Sequence, residues 1–253
     1  MVHSSSTAIS ASASQVADVI SNKRYRTVYQ PLVNLKTREV FAYEALVRPE
    51  VFPSPPAFFE AAVDACLVGQ LGRALRADAI ANCQNHPLFL NIHPNELNEP
   101  YLVQPDDPIF QHTEDVYVEL TESVPLSHFQ LCLHMLSEIR GKGVYLVVDD
   151  LGAGYSNLKY IADLHPRIVK IDRLLTAGMK IGSRMHRLVK HIVAMCKEMG
   201  ALVVCEGIET DDELHAVIEA GAHYGQGYLL ARPAFPPPAV TWPAAVAPQH
   251  HHP

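Results

Sequence analysis

Carboxylate and amide side chains recur at one kind of place in this chain, directly after a short apolar run. Glu44 follows Val40 to Tyr43, Asn91 follows Leu88-Phe89-Leu90, Glu119 follows Val116-Tyr117-Val118, and Asp149-Asp150 follow Val144 to Val148. Lys170 comes after Ile168-Val169, Glu206 after Leu202 to Cys205, and Gln226 after Tyr224-Gly225. Glu44, Asn91, Glu119, Asp149 and Asp150 form an all-oxygen donor set, without His or Cys, of the kind that suits Mg2+ or Mn2+. Acids gathered in a dry site repel one another unless some protonate or divalent cations join them, and two cations fit this much charge better than one. In the adjacent pair, one carboxylate can bridge two metals while the other holds the second alone, a geometry suited to in-line attack at phosphorus. A single acid at a strand end has a plainer explanation as a helix cap or a surface ion pair, but that does not account for the whole set.

Other residues extend the pattern. A lysine is usually a solvated surface charge; at the end of its strand, Lys170 could orient an attacking water or offset phosphate charge. Glu206, in Glu206-Gly207-Ile208-Glu209-Thr210, suits a metal ligand or general base, and Glu209 a supporting partner for Lys170 or another group. Arg48 suits a bidentate phosphate contact, and Asp172 either caps the next helix or takes part in the site. The glycine-rich stretch Gly152-Ala153-Gly154-Tyr155-Ser156 resembles a phosphate-cradling turn, which is weak evidence alone.

Elements must bring these residues together. Nearly continuous apolar strands alternate with helical patterns, which predicts an α/β fold whose parallel sheet is covered on both faces. Many strand ends that converge on one site are how a parallel (β/α) barrel builds its active face, and 253 residues suit one such barrel. Thr27 to Val33 and Val40 to Leu46 are close enough for a hairpin, so the opening pair is expected to be antiparallel. Helices are expected over Phe58 to Ala81 with a break near Gly69 or Gly72, His128 to Arg140, Ser156 to Ala162, Ser183 to Glu198 and Asp211 to Ala220. In the fourth of these, Met185, Leu188, Ile192 and Cys196 are expected to form the buried face. Residues 1–20 read as a flexible N-terminal tail, within which Ser14 to Ser21 can begin a short helix. Residues 236–253 read as a Pro-rich C-terminal tail ending in His250-His251-His252.

Twenty basic against 27 acidic residues give a formal charge of −7, so the bulk balance does not favour a DNA or RNA polymer as partner. Five cysteines without a Cys-x-x-Cys pair favour reduced thiols over a disulfide framework or a zinc site. With neither an export-type leader nor a run long enough to span a membrane, the expectation is a cytoplasmic protein.

Glu44-Ala45-Leu46 with Arg48, preceded by Tyr29-Gln30-Pro31, is followed in order by Leu90-Asn91-Ile92, Glu119-Leu120-Thr121-Glu122, Asp149-Asp150-Leu151-Gly152, Lys170-Ile171-Asp172, Glu206-Gly207-Ile208-Glu209-Thr210 and Gln226-Gly227-Tyr228. In type and order these motifs resemble the signature of EAL domains, the phosphodiesterases of the bacterial second messenger cyclic di-GMP. The resemblance implies a modified (β/α)8 TIM-like barrel with one antiparallel strand near its start, over residues 21–235. It implies hydrolysis of one phosphodiester of cyclic di-GMP to linear pGpG with two divalent cations, Mg2+ or Mn2+. Carried over, Glu44, Asn91, Glu119 and Asp149 would hold one metal, and Asp149, Asp150 and Glu206 the other. Lys170 would position the attacking water, with Glu209 and Gln226 in support. Gln30, Leu46, Arg48, Asp172 and Gln226 would contact substrate. Glu122 would anchor the loop after Asp150, which in the family couples the site to a dimer interface, so a homodimer is expected, and control through a separate sensor or regulatory protein fits a chain that shows no second domain.

The sequence departs from the family pattern at Leu151 (usually Phe), Ala153 (usually Thr), His223 (usually Asp) and Val63 (often Glu), and at no metal-ligand position. These changes bear on loop regulation and guanine contacts more than on metal binding. Two other readings compete: a catalytically silent EAL module that binds the nucleotide or a protein partner, and an unrelated metal-dependent barrel such as an enolase-type lyase. The second leaves the motif order unexplained.

Overall fold

The computed structural model describes residues 13–121, 126–153 and 158–244. Eight strands follow one another in chain order around a closed barrel. They are β1 (Tyr25–Asn34), β2 (Val40–Pro49), β3 (Leu88–Asn91), β4 (Val116–Thr121), β5 (Tyr145–Leu151), β6 (Ile168–Ile171), β7 (Leu202–Cys205) and β8 (Tyr224–Gly225). β3 pairs in parallel with β4, and β5 through β8 pair in parallel in succession, whereas β1 runs antiparallel to β8. The antiparallel strand arises from the tight hairpin after β1, where Asn34 Oδ1 accepts from the backbone N–H groups of Lys36 and Thr37. The fold is thus the modified α/β barrel that the sequence leads one to expect.

Helices are α1 (13–21), α2 (Pro55–Asp64), α3 (Val68–Asn82), α4 (Leu126–Gly141), α5 (Leu158–Leu164), α6 (Arg173–Thr176), α7 (Arg184–Glu198) and α8 (Asp211–Glu219). The chain forms two compact units, one mainly of Glu44–Leu120, the other mainly of residues 146–244 with Gln30–Tyr43.

In the first unit, α1 extends into what reads as a tail, because Val16 and Val19 are fully buried among Tyr25, Phe58, Ala62, Val68 and Leu71. The helix expected over Phe58 to Ala81 with a break near Gly69 or Gly72 is indeed two, but the break falls earlier, at Cys66, whose φ is 55°. Between β3 and β4 the chain winds through 3-10 turns at Pro94–Asn98, Pro100–Val103 and Pro108–Phe110. A buried ion triad fixes them to α3: Arg76 Nη1 meets Glu96 Oε2 at 2.6 Å and Arg76 Nη2 meets Asp107 Oδ2 at 2.8 Å. Charges this deep persist only when paired, and each here also has further hydrogen bonds.

In the second unit, β6 is buried at every position, the pattern of a strand covered on both faces. Helix α7 buries His186, Val189, Val193 and Cys196, while Leu188 is 47% exposed. The buried face is therefore rotated by about one residue from the expected one. Polar contacts decide the phase: His186 Nδ1 accepts from the Gly182 N–H at 3.1 Å, and its Nε2 lies 2.6 Å from Glu219. Of the Pro-rich tail expected over residues 236–253, the described part, which ends at residue 244, is tied down by contacts. Tyr43 donates its hydroxyl to the Pro238 carbonyl, Thr241 N–H to the Leu230 carbonyl, and Arg38 lies over the Trp242 ring. Among the described residues no helix is long and apolar enough to cross a membrane.

Candidate metal centre

Among the described residues, the end of β5 and the residue after β7 supply a group of three acids spaced to hold a metal ion. In a regular strand Asp149 and Asp150 would point to opposite faces. Here the β5 to β6 register shifts between Val148 and Leu151, and Asp150 takes a left-handed φ of 59°. This bulge re-aims the second aspartate, so one ligand oxygen from each of Asp149, Asp150 and Glu206 falls within 4.8 Å of the others. An L-residue in this conformation carries strain, which Asp tolerates better than most. Three carboxylates at this spacing are a donor set that a hard divalent cation fits.

Lys170, 1% exposed on β6, is held within this group. Its Nζ lies 2.6 Å from Glu206 Oε1 and 3.2 Å from Asp149 Oδ1. Both partners being partly buried, the ammonium and carboxylates offset one another's desolvation. The neighbouring Cys205 thiol is pushed up by burial and by the Glu206 charge, so it stays a neutral, inert thiol.

The loop after β7 is built to hold Glu206 in place. Gly207 has a φ of 65° and the Arg173 side chain occupies the space a Cβ would need. Gly227 likewise abuts the backbone of Ile208, whose N–H donates to the Gln226 carbonyl and whose carbonyl accepts from Leu229. Thr176 donates its hydroxyl to the Glu206 carbonyl. Glu209 pairs with Arg173 at 2.9 Å, so the group it supports is Arg173. Gln226, buried to 3% exposure, donates Nε2 to Gln30 Oε1 at 3.3 Å, and Gln30 Nε2 in turn donates to the Ala231 carbonyl. Asp172 caps α6 by accepting from the Leu174 N–H at 2.8 Å.

In the first unit, Asn91 Nδ2 donates to Glu44 Oε1 at 3.1 Å, which leaves the amide oxygen as the atom able to ligate. Asn91 lies opposite Glu119 in the β3 to β4 register, and Glu119 is 1% exposed. Leu46 and Arg48 follow Glu44 on β2, where Arg48 donates to the Val47 carbonyl. Glu122 and Gly154 to Ser156 lie outside the described residues. Of the departures from the family pattern, Leu151 is buried at the end of β5, and His223 Nδ1 accepts from the Val203 N–H, its pKa lowered by burial and by Lys197.

Arg173, Thr176 and Glu213 were not singled out by sequence reasoning. Glu213 had a legible signal, the Thr210-x-x-Glu213 spacing of a capping box, which the structure forms. Nothing in the sequence marks Thr176.

Barrel and acid cluster together define an α/β barrel protein with a carboxylate site at its strand ends. The chain matches the EAL domain family over residues 13–233, and it belongs to that family. Among curated proteins it is 30% identical over 234 residues to "Cyclic di-GMP phosphodiesterase PA2567" of Pseudomonas aeruginosa, covering 86% of this chain and 40% of that protein. It is also 30% identical over 236 residues to "Cyclic di-GMP phosphodiesterase RocR" of the same organism, covering 86% of this chain and 60% of that one. The chain thus spans less than two thirds of either relative. Among solved structures, the manganese/cy-diGMP complex of Klebsiella pneumoniae BlrP1 is 28% identical with a TM-score of 0.73, over 83% of this chain and 56% of that one.

Proposed function

We propose that this chain hydrolyses one phosphodiester bond of cyclic di-GMP to linear pGpG, with divalent cations as cofactors. The observation that carries the reading is the β5 bulge that turns adjacent aspartates toward Glu206 beside a buried lysine. Relatives named as cyclic di-GMP phosphodiesterases and a neighbour solved with manganese and cy-diGMP support the substrate and the cation.

In this reading Asp149, Asp150 and Glu206 would hold one Mg2+ or Mn2+, and Glu44, Asn91, Glu119 and Asp149 would hold the other. Bound divalent cations supply a lowered pKa for water and neutralisation of charge developing on phosphorus. The chain's own groups do the positioning. Lys170 holds Asp149 and Glu206 in place and directs its ammonium toward the attacking water or the phosphate. Glu206 accepts the proton of that water. Gln226 and Gln30 brace the end of β8, Glu209 holds Arg173, and Leu46, Arg48 and Asp172 border the nucleotide. The protein acts as a homodimer, for which exposed Leu174 and Ile181 offer apolar surface, under control of a separate sensor protein. A reducing cytoplasm suits Cys83, Cys196 and Cys205 as buried free thiols.

The test is purified protein with cyclic di-GMP and Mg2+ or Mn2+, products resolved by chromatography, beside Glu44→Ala and an EDTA control. Formation of pGpG that needs both metal and Glu44 is the expected result. Intact nucleotide in every sample, with saturable binding measured in parallel, refutes the enzyme and makes the chain a nucleotide receptor.

A further inference from the structure

We infer that Glu213 is a positioning residue for the metal centre, a single carboxylate that clamps the loop carrying Glu206 to the segment that follows Lys170. The inference rests on the phosphodiesterase reading. Glu213 is 6% exposed, and its two oxygens serve different loops. Oε1 accepts from the Gly178 N–H at 2.7 Å, beyond α6 and the strand bearing Lys170. Oε2 accepts from the Glu209 and Thr210 N–H groups at 2.8 and 3.0 Å, on the loop that begins with Glu206.

Capping of α8 needs only the contact to Thr210, so the bonds to Gly178 and Glu209 go beyond a helix cap. Other contacts tie the same parts of the chain, including the Lys170–Glu206 pair itself, and two more join the loops. Arg173–Glu209 is an ion pair whose side chains are 56% and 35% exposed, of the kind that contributes little. Thr176 contributes a neutral hydroxyl bond to the Glu206 carbonyl. Glu213 offers buried, charge-assisted bonds to both sides, the strong class of hydrogen bond. Burial raises its pKa, but the N–H groups of Gly178, Glu209 and Thr210 outweigh that and hold it below the ordinary glutamate value. The carboxylate is therefore ionised where the clamp must work, and it adds to the direct Lys170–Glu206 pair and the β6 to β7 ladder in holding Glu206 beside Lys170.

The discriminating variant is Glu213→Gln. Glutamine still forms a capping box but has one acceptor oxygen, and its amide NH2 would face a backbone donor, so it cannot serve both loops. Thr210→Ala is the control, because it removes the cap side chain of α8 and leaves the carboxylate bridges. Both proteins are checked by circular dichroism and titrated with Mn2+ alone by calorimetry, then assayed for kcat and KM. Supporting groups around metal ligands change affinity or activity by about 10–100-fold. The expected result is a loss of about tenfold or more in Mn2+ affinity and in kcat for folded Glu213→Gln, with KM changed less, and Mn2+ affinity within about twofold of wild type for Thr210→Ala. Wild-type Mn2+ affinity in Glu213→Gln, or equal losses in both variants, overturns the clamp. Wild-type protein that binds Mn2+ but leaves cyclic di-GMP intact sinks the phosphodiesterase reading while the titration still decides the clamp. Wild-type protein that binds no Mn2+ overturns both.

Discussion

Replacing Lys170 by methionine keeps most of the side-chain volume and removes one charge from the middle of the acid cluster. Lys170 is 1% exposed and contacts Glu206 and Asp149, whose side chains are 18% and 12% exposed. Breaking a buried pair from one side costs about 3–5 kcal/mol, and the residual hydration of the two carboxylates places this case near 3 kcal/mol. At about 2–4 °C per kcal/mol for a chain of this size, metal-free Lys170→Met should melt roughly 6–12 °C below wild type. Divalent cation changes that difference. In wild type the ammonium competes with a cation for Asp149 and Glu206, whereas in the variant those carboxylates are left to the cation. Binding at a hundredfold excess over Kd stabilises by about 2.7 kcal/mol, and the tighter binder gains more. Melting curves measured by calorimetry with EDTA and with saturating Mn2+ should therefore show the gap shrinking in Mn2+. Turnover should stay at least about a hundredfold down, because cation replaces the charge and not the ammonium that orients the reacting groups. A gap that is unchanged or wider in Mn2+ would refute the argument that Lys170 and a cation share the same carboxylates.

Three further outcomes are expected. Asp150→Gly relieves a left-handed residue and one like charge, so metal-free stability should rise by about 1 kcal/mol in denaturant titrations while Mn2+ affinity falls; lower stability would show that Asp150 is not strained. Gly227→Ala drives a methyl group into the Ile208 backbone and should destabilise by about 2–3 kcal/mol, read as a lowered urea midpoint, and a midpoint within error of wild type would contradict the close approach. The folded pKa of Glu213 is depressed, so its stabilisation is full above the ordinary glutamate value and is lost as pH falls through the depressed one. Wild type should therefore lose stability relative to Glu213→Gln on acidification through that window, and parallel pH profiles for the two proteins would contradict it.

The strands were legible because a barrel strand covered on both faces needs an unbroken apolar run, and Ile168–Ile171 and Leu202–Cys205 have the bounds that such runs predict. The polar residue that ends each run was legible for the same reason, as it interrupts a pattern that burial otherwise enforces. Local spacing could not show the bulge at Asp149 and Asp150, which depends on pairing with β6. Nor could apolar periodicity phase α7, where a histidine buried through two polar contacts displaces the face that Leu188 would have filled. The 3-10 turns between β3 and β4 were invisible because long-range charge pairing holds them, through Arg76, Glu96 and Asp107. Glu209 shows the same limit: its type was readable as a support, but its partner Arg173 comes from the helix that follows another strand.

The most direct test of the central claim is anomalous diffraction from crystals grown with Mn2+. The account predicts a manganese peak with carboxylate oxygens of Asp149, Asp150 and Glu206 at roughly 2.1 Å, the distance a hard, octahedral cation requires. Crystals at saturating Mn2+ without a peak at these three residues, and with Lys170 still joining Asp149 to Glu206, would contradict it.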